Sequence, residues 1–506
     1  MFILKKNIIS NFCATAWTAI LSLALVPVYL HYLGLEAYGL IGFFVSLQAV
    51  IGVLDLGLSV TANREIARRA ASPELSQDSC NLVRTLEVIY AITGLLIALA
   101  LFAGSSWVAG QWVRTVTIST ETVRLSIIIF SITVALRWPV SLYTGVLRGL
   151  EKQVPLNWTV IGITTLKGVG SAIVAIFFSP TIQAYLLWQL AAGTVEVVHM
   201  ARMAWRMLPL NGYRRSFDLS VLRAVWRFTA GVGTISILAA ILKQLDKILI
   251  SKLLPLEQLG YYTVASMAGT GLYLFVTSIF NAAFPRFASL VSNSDTVSLA
   301  ELYHKVAQFL SFLVAPVAGV LVFFSYELLL LWTRSEVVAS NAYAALSVLA
   351  LANMFNAMMN VPYALQLASG LTWIPLWSNG LSVVLIAPAI YFLVIRYGIV
   401  GGAIAWAVIN ISSYFITPHI FHRYVLPGHK TAWILKDTLP FMSAGLGVFG
   451  GLYLCKLFVY GELLTYIMMF AGFPVYACLV LLISKEFRSH VKNLVFSAKS
   501  KINHVF

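Results

Sequence analysis

The chain has 506 residues, of which 60% are hydrophobic and only 10% charged, and its formal net charge is +15. Soluble domains hold about 25% charged residues, so a soluble enzyme or binding module is excluded. The basic excess fits the positive-inside bias of a membrane protein better than an affinity for nucleic acid, and no nucleic-acid partner is expected. A β-barrel is excluded too, because short segments of alternating polarity are missing.

Apolar runs near 20 residues, the length that crosses about 30 Å of hydrocarbon, recur along the whole chain. Fourteen spans are predicted near residues 8–32, 39–63, 82–104, 122–147, 155–178, 182–207, 228–253, 259–285, 302–325, 342–367, 372–395, 399–422, 436–458 and 462–484. The fold class is therefore all-α, a polytopic membrane protein of about 14 transmembrane helices. The first span follows Lys5 and Lys6 and carries Asn11, Thr15, Thr18 and Ser22. It is too long and polar for a signal peptide and reads as a retained helix. With the N-terminus inside, 24 of the 34 Lys and Arg residues fall at cytoplasmic ends and loops and six fall outside. Both termini are thus expected in the cytoplasm.

The second span contains one carboxylate, Asp55, and ends in the cluster Arg64, Arg68 and Arg69. It opens with Leu33-Gly-Leu-Glu-Ala-Tyr-Gly39, which aligns with Leu254-Pro-Leu-Glu-Gln-Leu-Gly260. Both segments join the first and second spans of a six-span half. The repeat is parallel and predicts two lobes about an axis along the membrane normal. The expected division is an N-lobe at 1–210, a cytoplasmic link at 211–227, a C-lobe at 228–424, and two trailing helices with a basic tail at 425–506.

Leu33–Gly39, Leu54-Asp-Leu-Gly-Leu58 and Asn63-Arg-Glu-Ile-Ala-Arg68 together resemble the opening of bacterial O-antigen flippases. These form the polysaccharide transporter branch of the multidrug/oligosaccharidyl-lipid/polysaccharide superfamily. Gln244-Leu-Asp-Lys-Ile248, Leu259-Gly-Tyr-Tyr262 and Tyr397-Gly-Ile-Val-Gly-Gly402 are similar to later segments of that family. The resemblance implies alternating access in the bacterial inner membrane. It also implies an undecaprenyl-pyrophosphate-linked oligosaccharide as cargo, with a polysaccharide polymerase and a chain-length regulator as pathway partners.

Ionisable groups inside a bilayer are costly and mark interiors or wet cavities. Arg137 sits near the middle of the fourth span, on a face with Ser126, Thr133, Ser141 and Thr144, next to a kink expected at Pro139. Lys167 sits near the middle of the fifth span, and Lys243, Asp246 and Lys247 in the seventh. One reading lines a cationic cavity with these Lys and Arg side chains to take a pyrophosphate. The other pairs them with Asp55, Asp246 and Glu196 to fasten helices, with Lys243 and Asp246 one turn apart. Asp55 and Glu196 are candidates for ion coupling or charge pairing. Tyr273 and Asn281 in the eighth span, and Asn353, Asn356 and Asn360 in the tenth, are candidates for sugar contact; interhelical bonding is the alternative.

Cys13, Cys80, Cys455 and Cys478 are scattered, so neither a disulfide framework nor a metal site is expected. His419 and His422 read as structural, and no cofactor is expected. A cation-coupled drug exporter would share the architecture, but its cavity should be acidic. A membrane polymerase or glycosyltransferase should carry a large outer loop and paired acids, and neither is present.

Overall fold

The computed structural model describes residues 2–70, 76–208, 216–218, 240–458, 461–484 and 486–489. Most of the expected link at 211–227, with Arg214, Arg215, Arg223 and Arg227, lies outside the described residues. So do the start of the seventh span and Lys485, Lys492, Lys499 and Lys501 of the tail. A chain this apolar has to satisfy its backbone within each segment, and helix does that. Among the described residues no strand forms beyond a bridge pairing Arg114 with Pro255.

Eleven described helices are long and apolar enough to cross a bilayer, and the protein is a multi-pass membrane protein. One of the eleven, Trp373–Tyr424, runs 52 residues and is broken at Gly398, whose φ is 58°; it covers the eleventh and twelfth predicted spans. The predicted sixth span is a 26-residue helix, Ile182–Met207. Gln183, Gln189, Glu196 and His199 lower its hydropathy, and it is not among the eleven.

Two compact units divide the chain at Thr263 and Val264. Unit 1 contains α1 (Phe2–Tyr32), α2 (Leu35–Ile51), α3 (Leu58–Ala70), α4 (Ser76–Trp107), α5 (Thr120–Arg137), α6 (Val140–Gly149), α7 (Gln153–Ile173) and α8 (Ile182–Met207). Helical residues 240–253 and the first turns of α9 (Leu256–Thr270) complete it. Helix α1 packs on α7, α4 on α5, α5 on α8 and α3 on α6. The last pair is close because two glycines one turn apart face α3. A Cβ on Gly145 would lie 2.2 Å from the Ser59 carbonyl oxygen, and one on Gly149 2.6 Å from that of Asn63. Small residues at this spacing let membrane helices approach to backbone contact. Around this contact Ile66, Val83, Leu86, Leu142, Leu147 and Ala204 form a fully buried core.

The two copies of the repeat motif also meet. A Cβ on Gly39 would lie 2.1 Å from the Leu256 carbonyl oxygen, and one on Gly260 2.6 Å from that of Leu35. Equivalent glycines of the repeat thus pack against each other's helix.

Several predicted spans are interrupted among the described residues. The second was expected to carry Asp55 inside one helix. Instead α2 stops at Ile51, a 3-10 turn covers Gly52–Asp55, and Leu56 and Gly57 turn left-handed at φ 49° and 85°. Glycines at 52 and 57 weaken the helix on both sides of the carboxylate, and α3 restarts beyond them. The fourth breaks at Trp138-Pro139, as expected where proline removes a backbone donor. The eighth breaks at Gly271-Leu272, between α9 and α10 (Tyr273–Ser292), and the tenth at Met359.

Unit 2 contains α10, α11 (Thr296–Phe323), α12 (Ser325–Thr333), α13 (Glu336–Met358), α14 (Asn360–Ala368), α15 (Trp373–Tyr424), α16 (Leu439–Lys456) and α17 (Glu462–Ile483). Helix α13 packs on α15 and α11, and α11 on α16. A Cβ on Gly445 would lie 2.7 Å from the Ala315 carbonyl oxygen, so α11 and α16 also touch through their backbones.

Candidate functional site

The helix break at Asp55 opens unit 1 rather than closing it. A cavity of about 440 Å³ lies between the end of α2, the start of α3, and the α5–α6 break. Gln48, Asp55, Ser59, Asn63, Arg137, Ser141, Thr144 and Arg148 supply its polar wall, and Val60, Val134, Trp138 and Val140 its apolar wall.

Asp55 is held from three elements. One carboxylate oxygen accepts the Ser59 backbone N–H at 3.3 Å and its hydroxyl at 2.7 Å, which caps the restarted α3. The other accepts the Tyr90 hydroxyl from α4 and the Ser141 hydroxyl, at 3.3 Å, from α6. No ion pair forms between Asp55 and any described cation. Asp55 is thus held by hydroxyl donors and one backbone N–H.

Arg137 and Lys167 do have a carboxylate partner. The Arg137 Nε donates to Glu196 Oε2 at 2.7 Å, and the Lys167 ammonium contacts the same oxygen. These residues come from α5, α7 and α8, so the triad ties three helices. Gly193, one turn before Glu196, makes room: a Cβ there would lie 2.7 Å from the Arg137 Cδ. Beneath Lys167, Gln189 donates to Ser171 at 2.8 Å. Because Glu196 takes only Nε, no described residue bonds the terminal nitrogens of Arg137, which lines the cavity. Counting Arg148, the cavity and triad hold three cations against two carboxylates, a net positive charge. Ser126 and Thr133, expected on the Arg137 face, turn their hydroxyls to their own helix, at the Thr122 and Ile129 carbonyls.

The seventh-span candidates behave differently. Asp246 is buried, accepts the Tyr262 hydroxyl at 2.6 Å and bonds the Lys247 backbone N–H at 2.8 Å. Lys243 and Asp246 form no ion pair; Lys243 is exposed and Lys247 half-buried.

In unit 2 the asparagines bond between helices. Asn353 donates to the Gly269 carbonyl at 3.0 Å and accepts the Trp406 indole at 3.0 Å. Asn356 accepts the Tyr273 hydroxyl and donates to Asn410, both at 2.6 Å, and Asn360 donates to the Asn356 carbonyl at 2.9 Å. These side chains, with Tyr273, form a connected network that joins α9, α10, α13 and α15. Asn281 is exposed on α10.

Tyr90, Asn63 and Arg148 were not singled out from the sequence. Their signal is weak, since each lies on a face whose importance depends on the break at Gly52–Gly57. Glu36 is buried in the first turn of α2. It accepts three consecutive backbone N–H groups, from Val116, Thr117 and Ile118, at 2.6, 2.8 and 3.0 Å, and the Thr117 hydroxyl as well. The glutamate of the repeat motif therefore anchors the loop between α4 and α5. His422 is buried against Tyr303, at 3.2 Å. No group of metal-ligating side chains forms among the described residues.

A helical membrane unit with a basic polar cavity defines a transporter-like class, and comparison gives the family. Residues 4–291 match the profile described as "Polysaccharide biosynthesis protein", and the chain belongs to that family. It is 20% identical over 410 residues to a Shigella flexneri protein named "Putative O-antigen transporter", covering 80% of this chain and 94% of that one. Its fold is similar to that of the lipid II flippase MurJ in an inward closed conformation, with a TM-score of 0.73 at 13% identity over 95% of this chain and 99% of that one. An inward-facing multidrug resistance MATE transporter of the MOP superfamily also aligns, with a TM-score of 0.68 at 14% identity, covering 82% of this chain and 95% of that one.

Proposed function

We propose that this protein is a flippase that carries an undecaprenyl-pyrophosphate-linked oligosaccharide from the cytoplasmic to the periplasmic leaflet, and that it is not an enzyme. The observation that carries the reading is the Arg137–Glu196–Lys167 triad on the unit 1 cavity. Glu196 fixes both cations in place and leaves the Arg137 fork to meet a phosphate, the geometry that guanidinium recognises best. Gln48, Asn63, Ser141 and Thr144 offer hydrogen bonds to the neighbouring head group. The prenyl chain stays in lipid while two lobes, 1–210 and 228–424, expose the site to one face and then the other. Both termini lie in the cytoplasm of a bacterium whose inner membrane holds the protein. An anion that moves outward gains about 2.3 kcal/mol per charge for each 100 mV of inside-negative potential, so the potential biases export. A polymerase and a chain-length regulator act on the delivered product.

The test is complementation. In a strain lacking this gene, Arg137→Glu or Lys167→Glu should fail to restore surface glycan at normal expression; full restoration by the double variant would refute the cationic site. The MATE-like fold and a carboxylate, Asp55, on the cavity favour a second reading, a cation-coupled exporter of the same superfamily. That reading predicts efflux of cationic dyes that Asp55→Asn abolishes.

A further inference from the structure

A second cavity, of about 520 Å³, lies wholly in unit 2, where α11 ends, α13 begins and α16 ends. Three helix termini meeting there place it at one boundary of the membrane, and the distribution of basic residues predicts that boundary to be periplasmic. Its volume falls in the roughly 300–1,000 Å³ range of small-molecule sites.

The lining is a set of aromatic rings with hydrogen-bonding groups between them. Tyr326 and Tyr343 meet edge to face at 6.2 Å, and Tyr453 also lines the cavity, with the Lys456 ammonium 5.5 Å from its ring centre. No described residue bonds the hydroxyl of any of the three tyrosines. Glu327 is buried to all but 8%. One of its carboxylate oxygens holds Lys456, and the other is buried with no partner. Ser325 and Ser347 bond each other at 2.8 Å on the same wall.

The ion pair is internally neutral, so the pocket has no net charge to hold a phosphate. Flat aromatic faces, phenol hydroxyls and an ammonium donor match a neutral ring that has C–H faces and O–H edges. We propose that this pocket is a subsite for a sugar ring of the glycan on the periplasmic side, with Tyr343 stacking on the ring, Tyr326 meeting its edge and the Lys456 ammonium donating to one of its hydroxyl oxygens. This assignment rests on the flippase reading for its ligand.

The experiment uses the full-length protein in lipid nanodiscs. The probe is the water-soluble oligosaccharide freed by mild acid from the lipid-linked repeat units of the source strain, and binding is read by saturation-transfer NMR. Tyr343→Ala and Tyr326→Ala should each weaken binding at least fivefold. Tyr343→Phe should keep it within twofold, and Tyr397→Ala, at an exposed tyrosine away from the pocket, should leave it unchanged. Tyr343 is 45% exposed, so its truncation leaves the fold intact. Wild-type binding that survives both alanine variants, competition by inorganic phosphate, or no binding at all would overturn the subsite. Complementation separates the two readings. Restored surface glycan without tyrosine-dependent binding sinks the subsite alone. Full surface glycan in the strain lacking this gene sinks the flippase reading, and the NMR result still decides whether the pocket takes sugar.

Discussion

Glu196 is the residue on which two membrane cations depend, and its removal should be more damaging than that of either cation. Both cations keep some exposure, with side chains 25% and 13% accessible. Glu196→Ala, which leaves two like charges together, should therefore cost roughly 2–4 kcal/mol, read as a lower melting temperature in detergent. Arg137→Lys should fold normally but transport poorly, because an ammonium cannot offer the bidentate fork. A second residue-scale expectation concerns pH. His429, in the loop between α15 and α16, is pushed below the usual 6.5 mainly by burial, then by the neighbouring His304, with Asp437 opposing. The unfolded chain then binds the proton more readily, so stability is full above about pH 6.5 and falls as pH drops below it. A melting series from pH 7.5 to 5 should show this decline, and His429→Gln should flatten it; an unchanged slope would remove His429 from the account.

At the scale of elements, the glycines and the motif glutamate have separate duties. Gly39 faces a backbone carbonyl at 2.1 Å from where a Cβ would be. Gly39→Val should overpack that contact and cost about 1–3 kcal/mol, whereas Gly104→Val, where nothing lies within 4 Å, should cost little. Glu36→Ala should strand three backbone donors at about 1–3 kcal/mol for a buried group left unsatisfied. Hydrogen exchange at residues 116–118 should then rise sharply while exchange in α5 stays slow; unchanged exchange would contradict the anchoring role. The motif Leu33–Gly39 was visible in the sequence as a repeat marker. Its mechanics were not, because a loop 80 residues away in the chain supplies the donors and the second copy supplies the carbonyl. The break after Ile51 was hidden for a related reason: an apolar run with a lone aspartate has the same periodicity whether or not it bends at Gly52 and Gly57.

For the molecule as a whole, hydropathy made the membrane class, the helical fold and most spans legible, since bilayer thickness dictates them. It also brought out Arg137 and Lys167, because a cation in an apolar span stands out. It did not show that Glu196 holds both, since that depends on how α5, α7 and α8 pack. The tenth-span asparagines illustrate the converse. Their spacing suits a cavity wall and an interhelical network equally, and the packing of α13 against α15 commits their amides to the network. The most direct measurement of the central claim is translocation of lipid-linked oligosaccharide into the outer leaflet of proteoliposomes by purified protein. With Arg137 and Lys167 both changed to Glu, and folding verified by size-exclusion chromatography, the account predicts at least a tenfold loss of rate. A rate equal to wild type would contradict it.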